Sequence, residues 1–381
     1  MIQPFDQPIL VTRPYLPPLA DYQQGLAEIW RNQWLTNAGP VLQRYTRKME
    51  AYLDTPNVCL FSNGTLALQI ALQGMGVQGE VITTPFTFVA TTHCLAWNHI
   101  TPVFADIDPA RYTLDPDAVE AAITPRTEAI LAVHVFGTPC HLERLEAIAR
   151  KHGIALIYDA AHAFGLRVNG RSIAGYGDCS MFSFHATKLY HSIEGGALTF
   201  RDPALKKRFD YLKNFGFENE TEVVMPGTNA KMNEMQALMG ELVLRDMDAI
   251  IAKRKVLAAR YMDGLAGIPG IRVAAGVTGA ADVAAAITPN YAYLPVEVVA
   301  GEYPLSRDAL YERLKTYNVF ARRYFYPLIT DFACYRGCAV DGQLPVAAKV
   351  ARQIMTLPIY HDLDPDDVDK ICQILRAESG G

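Results

Sequence analysis

The chain has 381 residues, 50% of them hydrophobic and 20% charged, and a formal net charge of −5 at pH 7. These values predict a globular protein with one large core and room for a smaller domain. They argue against a nucleic-acid-binding protein, because no run of Lys and Arg is dense enough to neutralise a phosphate backbone. No apolar run reaches the length of a membrane span.

The N-terminus and the cysteines predict the cellular compartment. Residues 1–6 lack the charged and apolar regions of a signal peptide, and the seven scattered cysteines are typical of reduced thiols. We therefore expect a cytoplasmic protein. Cys334 and Cys338 are the closest pair of cysteines, but no His or Cys stands at zinc spacing around them, so we expect no metal site.

The N-terminal segment predicts an irregular arm followed by two helices. Three prolines within residues 13–18 exclude a regular helix there. Residues 22–34 form an amphipathic segment, and Gly39-Pro40 predicts the turn that ends this helix and begins the next, over residues 41–53.

From residue 58 short apolar runs alternate with helical stretches. The runs are residues 58–62, 80–84, 102–106, 129–135 and 155–159, and the helical stretches include residues 87–98, 115–123 and 142–152. Apolar runs without polar alternation are typical of strands buried on both faces. The alternation predicts an α/β fold with a mostly parallel sheet flanked by helices, whose ligands bind beyond the carboxyl ends of the strands.

The alternating pattern ends near Asp246. We therefore predict a large domain over residues 1–245, which includes the N-terminal arm, and a smaller C-terminal α+β domain over residues 246–381.

Two motifs follow the first two predicted strands. Gly64 and Thr65 open a helix whose free amides could hold a phosphate, although similar residues cap many helices that bind nothing. Phe88 follows the second strand, where it could stack on a planar ring or belong to the core. These two alternatives are evenly balanced on the sequence.

Asp159 and Lys188 carry the chemistry of the predicted site. Asp159 follows four apolar residues, and a carboxylate there is costly to bury unless a cation meets it. Lys188 lies in a loop between two predicted adjacent strands, residues 181–184 and 196–200, with Glu194-Gly195-Gly196 turning the chain. Most lysines are solvated surface groups, but one in a partly dry pocket loses charge and can form a Schiff base with an aldehyde. Pyridoxal phosphate enzymes use such a lysine, together with an Asp that pairs with the ring nitrogen.

The motifs together resemble those of the DegT/DnrJ/EryC1/StrS family of nucleotide-sugar aminotransferases, which are fold type I pyridoxal phosphate enzymes. The resemblance covers nearly the whole chain. It is carried by residues 34–40 (WLTNAGP), 63–65 (NGT), 84–90 (TPFTFVA), 106–108 (DID), 134–137 (HVFG), 159–162 (DAAH), 183–188 (SFHATK), 194–196 (EGG) and 229–237 (NAKMNEMQA).

The resemblance implies a role for each matched residue. Lys188 would bind the cofactor covalently and then act as general base and acid, and Asp159 would pair with the ring nitrogen. The other cofactor contacts would be Gly64, Thr65 and Ser183 at the phosphate, and Phe88 and His162 at the ring or its hydroxyl.

The resemblance also implies the assembly and the type of reaction. Asn229 would reach the phosphate of a neighbouring subunit, which implies a homodimer with shared active sites. Relatives with His in place of the lysine are sugar dehydratases, so Lys188 favours transamination.

The substrate is implied less directly. The arm at residues 13–18 and the 183–188 motif most resemble members that aminate C4 of dTDP-4-keto-6-deoxyglucose with L-glutamate as donor, in amino-sugar and O-antigen biosynthesis. Close relatives aminate C3 instead, and residue spacing does not separate the two. Arg322, Arg323 and Tyr324 are chemically suited to a sugar diphosphate, with a solvated basic turn as the alternative. A second class of function, a regulatory protein that binds its ligand without turnover, is also compatible with the sequence.

Overall fold

The computed structural model describes residues 2–278, 286–338 and 343–380. Its strands are β1 (Ile9–Leu10), β2 (Val58–Phe61), β3 (Glu80–Thr83), β4 (Thr101–Phe104), β5 (Thr127–Val133), β6 (Ala155–Asp159), β7 (Arg167–Val168), β8 (Arg171–Ser172), β9 (Cys179–Ser183), β10 (Gly196–Phe200), β11 (Ile271–Val273), β12 (Ile287–Thr288), β13 (Leu294–Val298), β14 (Val319–Phe320) and β15 (Ile354–Leu357). Its helices are α1 (Leu19–Asn32), α2 (Pro40–Leu53), α3 (Gly64–Met75), α4 (Val89–Trp97), α5 (Pro116–Ala121), α6 (Leu142–His152), α7 (Leu205–Leu212), α8 (Glu234–Arg245), α9 (Met247–Leu265), α10 (Ala275–Thr278), α11 (Arg307–Thr316), α12 (Pro345–Gln353) and α13 (Pro365–Glu378).

The central sheet has seven strands in the order β2-β10-β9-β6-β5-β3-β4. The neighbours from β9 to β4 are parallel, and only β10 runs antiparallel to both of its partners. The predicted mostly parallel sheet is therefore confirmed. The adjacency of the two strands around the lysine loop is also confirmed, because Ser183 of β9 pairs with Gly196 of β10.

Helices cover both faces of this sheet, which explains why its strands are apolar without alternation. Leu156 of β6 faces a cluster that contains Tyr45 of α2, whereas the next residue, Ile157, faces a cluster that contains Leu72 of α3. Helices α2, α6 and α8 contribute to the first cluster, and α3, α4 and α7 to the second. Strand β6 thus buries side chains on both faces of the sheet, while Asp159 at its carboxyl end lines a cavity.

A separate hydrophobic cluster is built mainly from the last third of the chain. The antiparallel sheet β11-β13-β15 packs there against α9, α11 and α13, in keeping with the predicted α+β organisation. Phe5 and Ile9 from the N-terminus join this cluster, and β1 pairs with β14 in parallel. The start of the arm therefore packs with this later unit, and the division between residues 245 and 246 stays a prediction.

None of the described helices is both long and apolar enough to cross a membrane.

Candidate active site

A cavity of about 270 Å³ lies at the carboxyl ends of the central strands. Most of the predicted site residues line it, namely Gly64, Thr65, Phe88, Asp159, His162, Ser183, Lys188, Arg322 and Tyr324. The cavity is therefore where a parallel sheet is expected to bind its ligand.

One end of the cavity is formed by the N-terminus of α3. The Asn63 side chain caps this helix by accepting a hydrogen bond from Leu66 N at 2.8 Å. The first-turn amides of Gly64 and Thr65 have no acceptor within the helix. A Cβ atom at Gly64 would lie 3.0 Å from Ser183 Cβ, so glycine allows the helix to approach β9 closely. Amides and a serine side chain that converge in this way suit an anion such as a phosphate.

Asp159 lies at the end of β6 and is only 4% exposed. Thr91 Oγ1 donates to Asp159 Oδ2 at 2.8 Å, and Ala161 N donates to Oδ1 at 3.1 Å. Burial raises the pKa of Asp159, although these hydrogen bonds and the charge of Lys188 act in the opposite direction. A cationic group in the cavity would favour the ionised carboxylate by direct pairing.

Lys188 lies in the loop between β9 and β10. Its backbone amide donates to His185 O at 2.8 Å, which fixes a turn in this loop, and its side chain is partly buried at the cavity wall. Burial lowers the pKa of Lys188, and the charge of Asp159 partly opposes this effect. A larger fraction of the amine is then neutral near pH 7, and the neutral amine is the form that attacks a carbonyl or accepts a proton.

His162 is held as a neutral hydrogen-bond donor. Phe136 N donates to His162 Nδ1 at 3.2 Å, so the proton of the neutral ring lies on Nε2. Burial lowers the pKa of His162 well below its ordinary value, and the charge of Lys188 adds to the effect. Phe136 has a φ of 58°, a left-handed conformation that is uncommon for a bulky buried residue. This strained backbone presents the amide to the histidine.

Phe88 is 57% exposed, whereas its neighbour Phe86 is fully buried. The core alternative for Phe88 is therefore wrong, and Phe86 is the core residue of this motif. The Phe88 side chain lines the cavity, where its stacking on a planar ring stays a prediction.

Another part of the cavity wall comes from later segments of the chain. The backbone of Arg322 pairs with Thr356 of β15, and Arg322 Nε donates to the Tyr324 hydroxyl at 3.4 Å. Tyr293 and Phe325 complete the wall and contact the His162 ring, with centroid distances of 4.5 and 5.9 Å. One guanidinium and two phenols thus line the same cavity as Lys188.

Two predicted residues lie outside the cavity. Arg323 Nη1 binds Asp308 Oδ1 at 2.9 Å, and its guanidinium covers the rings of Tyr311 and Tyr326, so the structure does not bring Arg323 to the site. Asn229 is exposed and accepts a hydrogen bond from Lys231 Nζ at 2.8 Å. Its role at a neighbouring subunit stays a prediction.

Several residues of the site were not predicted from the sequence. Thr91 contacts Asp159 directly, Thr87 contacts Thr91, and Tyr293 and Phe325 pack around His162. The two threonines could have been predicted, because they follow the carboxyl end of β3, which lies next to β5 in the sheet. The two aromatic residues could not have been predicted, because apolar rings between short strands are typical of a hydrophobic core.

Comparisons with known proteins identify the family of this chain. Residues 20–376 match the DegT/DnrJ/EryC1/StrS aminotransferase family. A relative from Escherichia coli, named dTDP-4-amino-4,6-dideoxy-D-glucose transaminase, is 42% identical over 379 residues, which cover 98% of this chain and 99% of the relative. The dTDP-3-amino-3,4,6-trideoxy-alpha-D-glucose transaminase of Streptomyces venezuelae is 32% identical over 342 residues, covering 89% of this chain and 87% of the relative.

Among solved structures, that of DesI in the presence of its TDP-sugar product is similar over 98% of this chain and 94% of that chain, with a TM-score of 0.92 and 37% identity. The family match, the sequence identity and the similar fold, each over nearly the whole chain, lead to one assignment. The chain belongs to the DegT/DnrJ/EryC1/StrS aminotransferase family.

Proposed function

We propose that the protein is a pyridoxal phosphate-dependent aminotransferase that transfers the amino group of L-glutamate to C4 of dTDP-4-keto-6-deoxyglucose. The product would be dTDP-4-amino-4,6-dideoxyglucose. The observation that carries this proposal is the convergence of a buried Asp159 and a partly buried Lys188 on one cavity, in a chain 42% identical to an Escherichia coli transaminase of that name.

The residues of the cavity fit this cofactor. Asp159 is a buried carboxylate that a protonated pyridine nitrogen would pair with, and Gly64 lets the N-terminus of α3, with its free amides, lie close to Ser183. Gly64, Thr65 and Ser183 would hold the phosphate, and Phe88 would cover the ring. When bound, pyridoxal phosphate supplies an aldehyde for attachment of amines and a ring that accepts electrons as the substrate proton is lost.

Lys188 would move the proton of the reaction. Its lowered pKa increases the neutral fraction of the amine, so Nζ can accept the α-proton of the amino donor and later donate it back during the reaction. Asp159 would stay ionised against the ring nitrogen, and His162 would donate from Nε2 to a ring oxygen. The Asp159 and His162 side chains are held by hydrogen bonds within the protein before any substrate arrives, which keeps the cost of reorganisation low.

Arg322 and Tyr324 would bind the substrates. A guanidinium matches the oxygen atoms of a carboxylate or phosphate with two hydrogen bonds, and the adjacent phenol suits a sugar hydroxyl. Arg323 is excluded from this role, because it binds Asp308 outside the cavity. Transfer to C3 of a related keto sugar is the second candidate, since the similar Streptomyces venezuelae protein is named for a 3-amino sugar.

The protein would act as a homodimer in which Asn229 of one subunit reaches the cofactor phosphate of the other. Asn229 is exposed in the single chain, and its side chain is tied only to the nearby Lys231 in the hydrogen bonds described. An exposed amide beside a lysine suits contact with an anion from outside the chain.

The reaction itself is the test. The purified protein, glutamate and the 4-keto sugar, generated in place by a dehydratase, should yield a dTDP-linked 4-amino sugar with an equatorial amine, identified by the proton couplings of H4. An amine at C3, or an axial amine at C4, would overturn the substrate assignment. A visible cofactor band that glutamate does not change, with no amino sugar formed, would favour the regulatory alternative.

A further inference from the structure

Two threonine hydroxyls at the start of α4 form a hydrogen-bonded chain that ends on Asp159. Thr91 Oγ1 lies 2.8 Å from Asp159 Oδ2, and Thr87 Oγ1 lies 3.0 Å from Thr91 Oγ1. Thr91 is fully buried and Thr87 nearly so, with Thr87 at the cavity wall. Both hydroxyls are therefore withdrawn from bulk water and depend on each other for hydrogen bonds.

The donor and acceptor of each hydrogen bond in this series follow from counting protons. A hydroxyl has one proton to donate, and an ionised carboxylate can only accept. When Asp159 is ionised, Thr91 donates to Oδ2, so Thr91 Oγ1 must accept the proton of Thr87. When Asp159 is protonated on Oδ2, Thr91 can become the acceptor and this order is lost. The ordered chain thus favours the ionised carboxylate.

The second oxygen of Asp159 is held from another element. Ala161 N, two residues past β6, donates to Oδ1 at 3.1 Å. The carboxylate plane is therefore fixed from two sides, with its remaining lone pairs free for a partner in the cavity. The titratable groups that act on Asp159 are Lys188 across the cavity and the thiols of Cys94 and Cys140, which stay protonated near pH 7 because burial raises their pKa.

We propose that Thr91 is a positioning residue that fixes the orientation of the Asp159 carboxylate and favours its ionised form, with Thr87 ordering the Thr91 hydroxyl. The significance for catalysis rests on the proposed function, in which Asp159 pairs with a protonated ring nitrogen. The hydrogen-bonded chain itself can be tested without turnover.

The adjacent residue provides a matched control. Thr92 is also fully buried, but its hydroxyl has no hydrogen-bond partner among the described residues. Thr91→Val and Thr92→Val remove the same atom, with the same change of shape, from neighbouring positions of one helix. The unpartnered hydroxyl should be removable at little cost, whereas the Thr91 hydroxyl should not.

The first measurement is the titration of Asp159 in the full chain freed of cofactor, followed by carbon NMR of labelled aspartate and assigned with Asp159→Asn. Thr91→Val should raise the titration midpoint of Asp159 by roughly one pH unit, since a hydrogen bond to the charged form is lost. Thr92→Val should leave the midpoint unchanged, and Thr91→Ser should restore it. Equal midpoints in Thr91→Val and Thr92→Val would overturn the proposal.

The second measurement is the binding of pyridoxamine phosphate by the same variants. Thr91→Val should weaken binding about tenfold, as expected for one charge-assisted hydrogen bond, whereas Thr92→Val should stay near the parent. If Thr91→Val fails to fold, Thr87→Val should give a smaller rise of the Asp159 midpoint, and no rise would overturn the proposal. Failure of the parent protein to bind pyridoxamine phosphate would instead refute the proposed function and leave the NMR result standing.

Discussion

The cavity has two walls of different construction. The strand-end wall consists of Gly64, Thr65, Asp159, Ser183 and Lys188, which follow or end strands of the central sheet. The aromatic wall consists of Tyr293, Arg322, Tyr324 and Phe325 from the later part of the chain. The first wall is fixed mainly by backbone hydrogen bonds, and the second mainly by ring contacts.

This difference suggests a division of labour. His134 N donates to Asp159 O at 3.1 Å, and Ala160 N donates to Met181 O at 2.8 Å, so the ladder of the sheet continues to the edge of the cavity. The aromatic wall is held by contacts such as the Phe136–Phe325 stack, with centroids 6.0 Å apart. Loss of a polar group from the strand-end wall should therefore lower kcat, whereas changes in the aromatic wall should alter substrate affinity.

The largest effect is expected for Lys188→Ala. Without the amine, proton transfer should fall by about 10³-fold or more, and borohydride should no longer fix the cofactor to the chain. Absorbance spectra and peptide mapping of the reduced parent protein measure both effects. The exposed Lys207 supplies the control, since Lys207→Ala should keep the visible band. A label on Lys213 or Lys231 in the parent would show that the central assignment is wrong.

Asp159→Asn should retain cofactor but lose turnover on the order of 100-fold, because an amide cannot hold the ring nitrogen protonated. The variant should also lose the acid limb that Asp159 contributes to the pH–rate profile. Burial raises the pKa of Asp159 in the free protein, and pairing with a bound cation would lower it again, so cofactor binding should shift the titration of Asp159 to lower pH. Turnover of Asp159→Asn at the parent rate would show that Asp159 does not pair with the ring nitrogen.

The strand-end wall could be predicted from the sequence because strand ends are visible in the hydrophobic pattern. The predicted run 155–159 coincides with β6, and the predicted helix 142–152 coincides with α6, which ends at Gly153 with a φ of 65°. Asp159 is the last residue of β6, so it must lie at the edge of the sheet where the carboxyl ends of the parallel strands meet. Local signals therefore predict Gly64, Thr65, Asp159 and Lys188 as polar or backbone groups of this wall, whereas the role of Ser183 is implied only by the family resemblance.

Other features depended on contacts that a local pattern does not encode. Helix α4 begins at Val89, two residues later than predicted, because Phe88 stays extended and presents its ring to the cavity. The predicted strand 129–135 ends at Val133, and the chain then turns through the strained Phe136. The aromatic wall needs segments more than 100 residues apart, such as His162 and Tyr293, to meet.

Arg322→Lys tests whether the aromatic wall controls affinity. A lysine keeps the charge but loses the planar pair of donors, so we expect KM for an anionic substrate to rise roughly tenfold with little change in kcat. Arg323→Lys is the matched control, because that residue binds the exposed Asp308 outside the cavity. Its effect should stay within about twofold, as for other exposed ion pairs. Steady-state kinetics with each substrate varied in turn measures the difference, and a fall in kcat alone for Arg322→Lys would contradict the division between the walls.

The smallest effect is expected at Asn229, which belongs to neither wall of its own chain. If Asn229 serves the neighbour's phosphate, a ligand that bridges two subunits stabilises the dimer by mass action, so cofactor affinity and dimer stability must be linked. Asn229→Ala should then weaken cofactor binding several-fold, by the loss of about one hydrogen bond, and make the dimer dissociate at higher protein concentration. Asn219→Ala is the control, because Asn219 is exposed on the same segment and contacts only Glu222 and Thr221 in the hydrogen bonds described. Cofactor titration and sedimentation on the same samples measure both quantities, and a monomer that holds cofactor at full affinity would show that each cavity is complete within one chain.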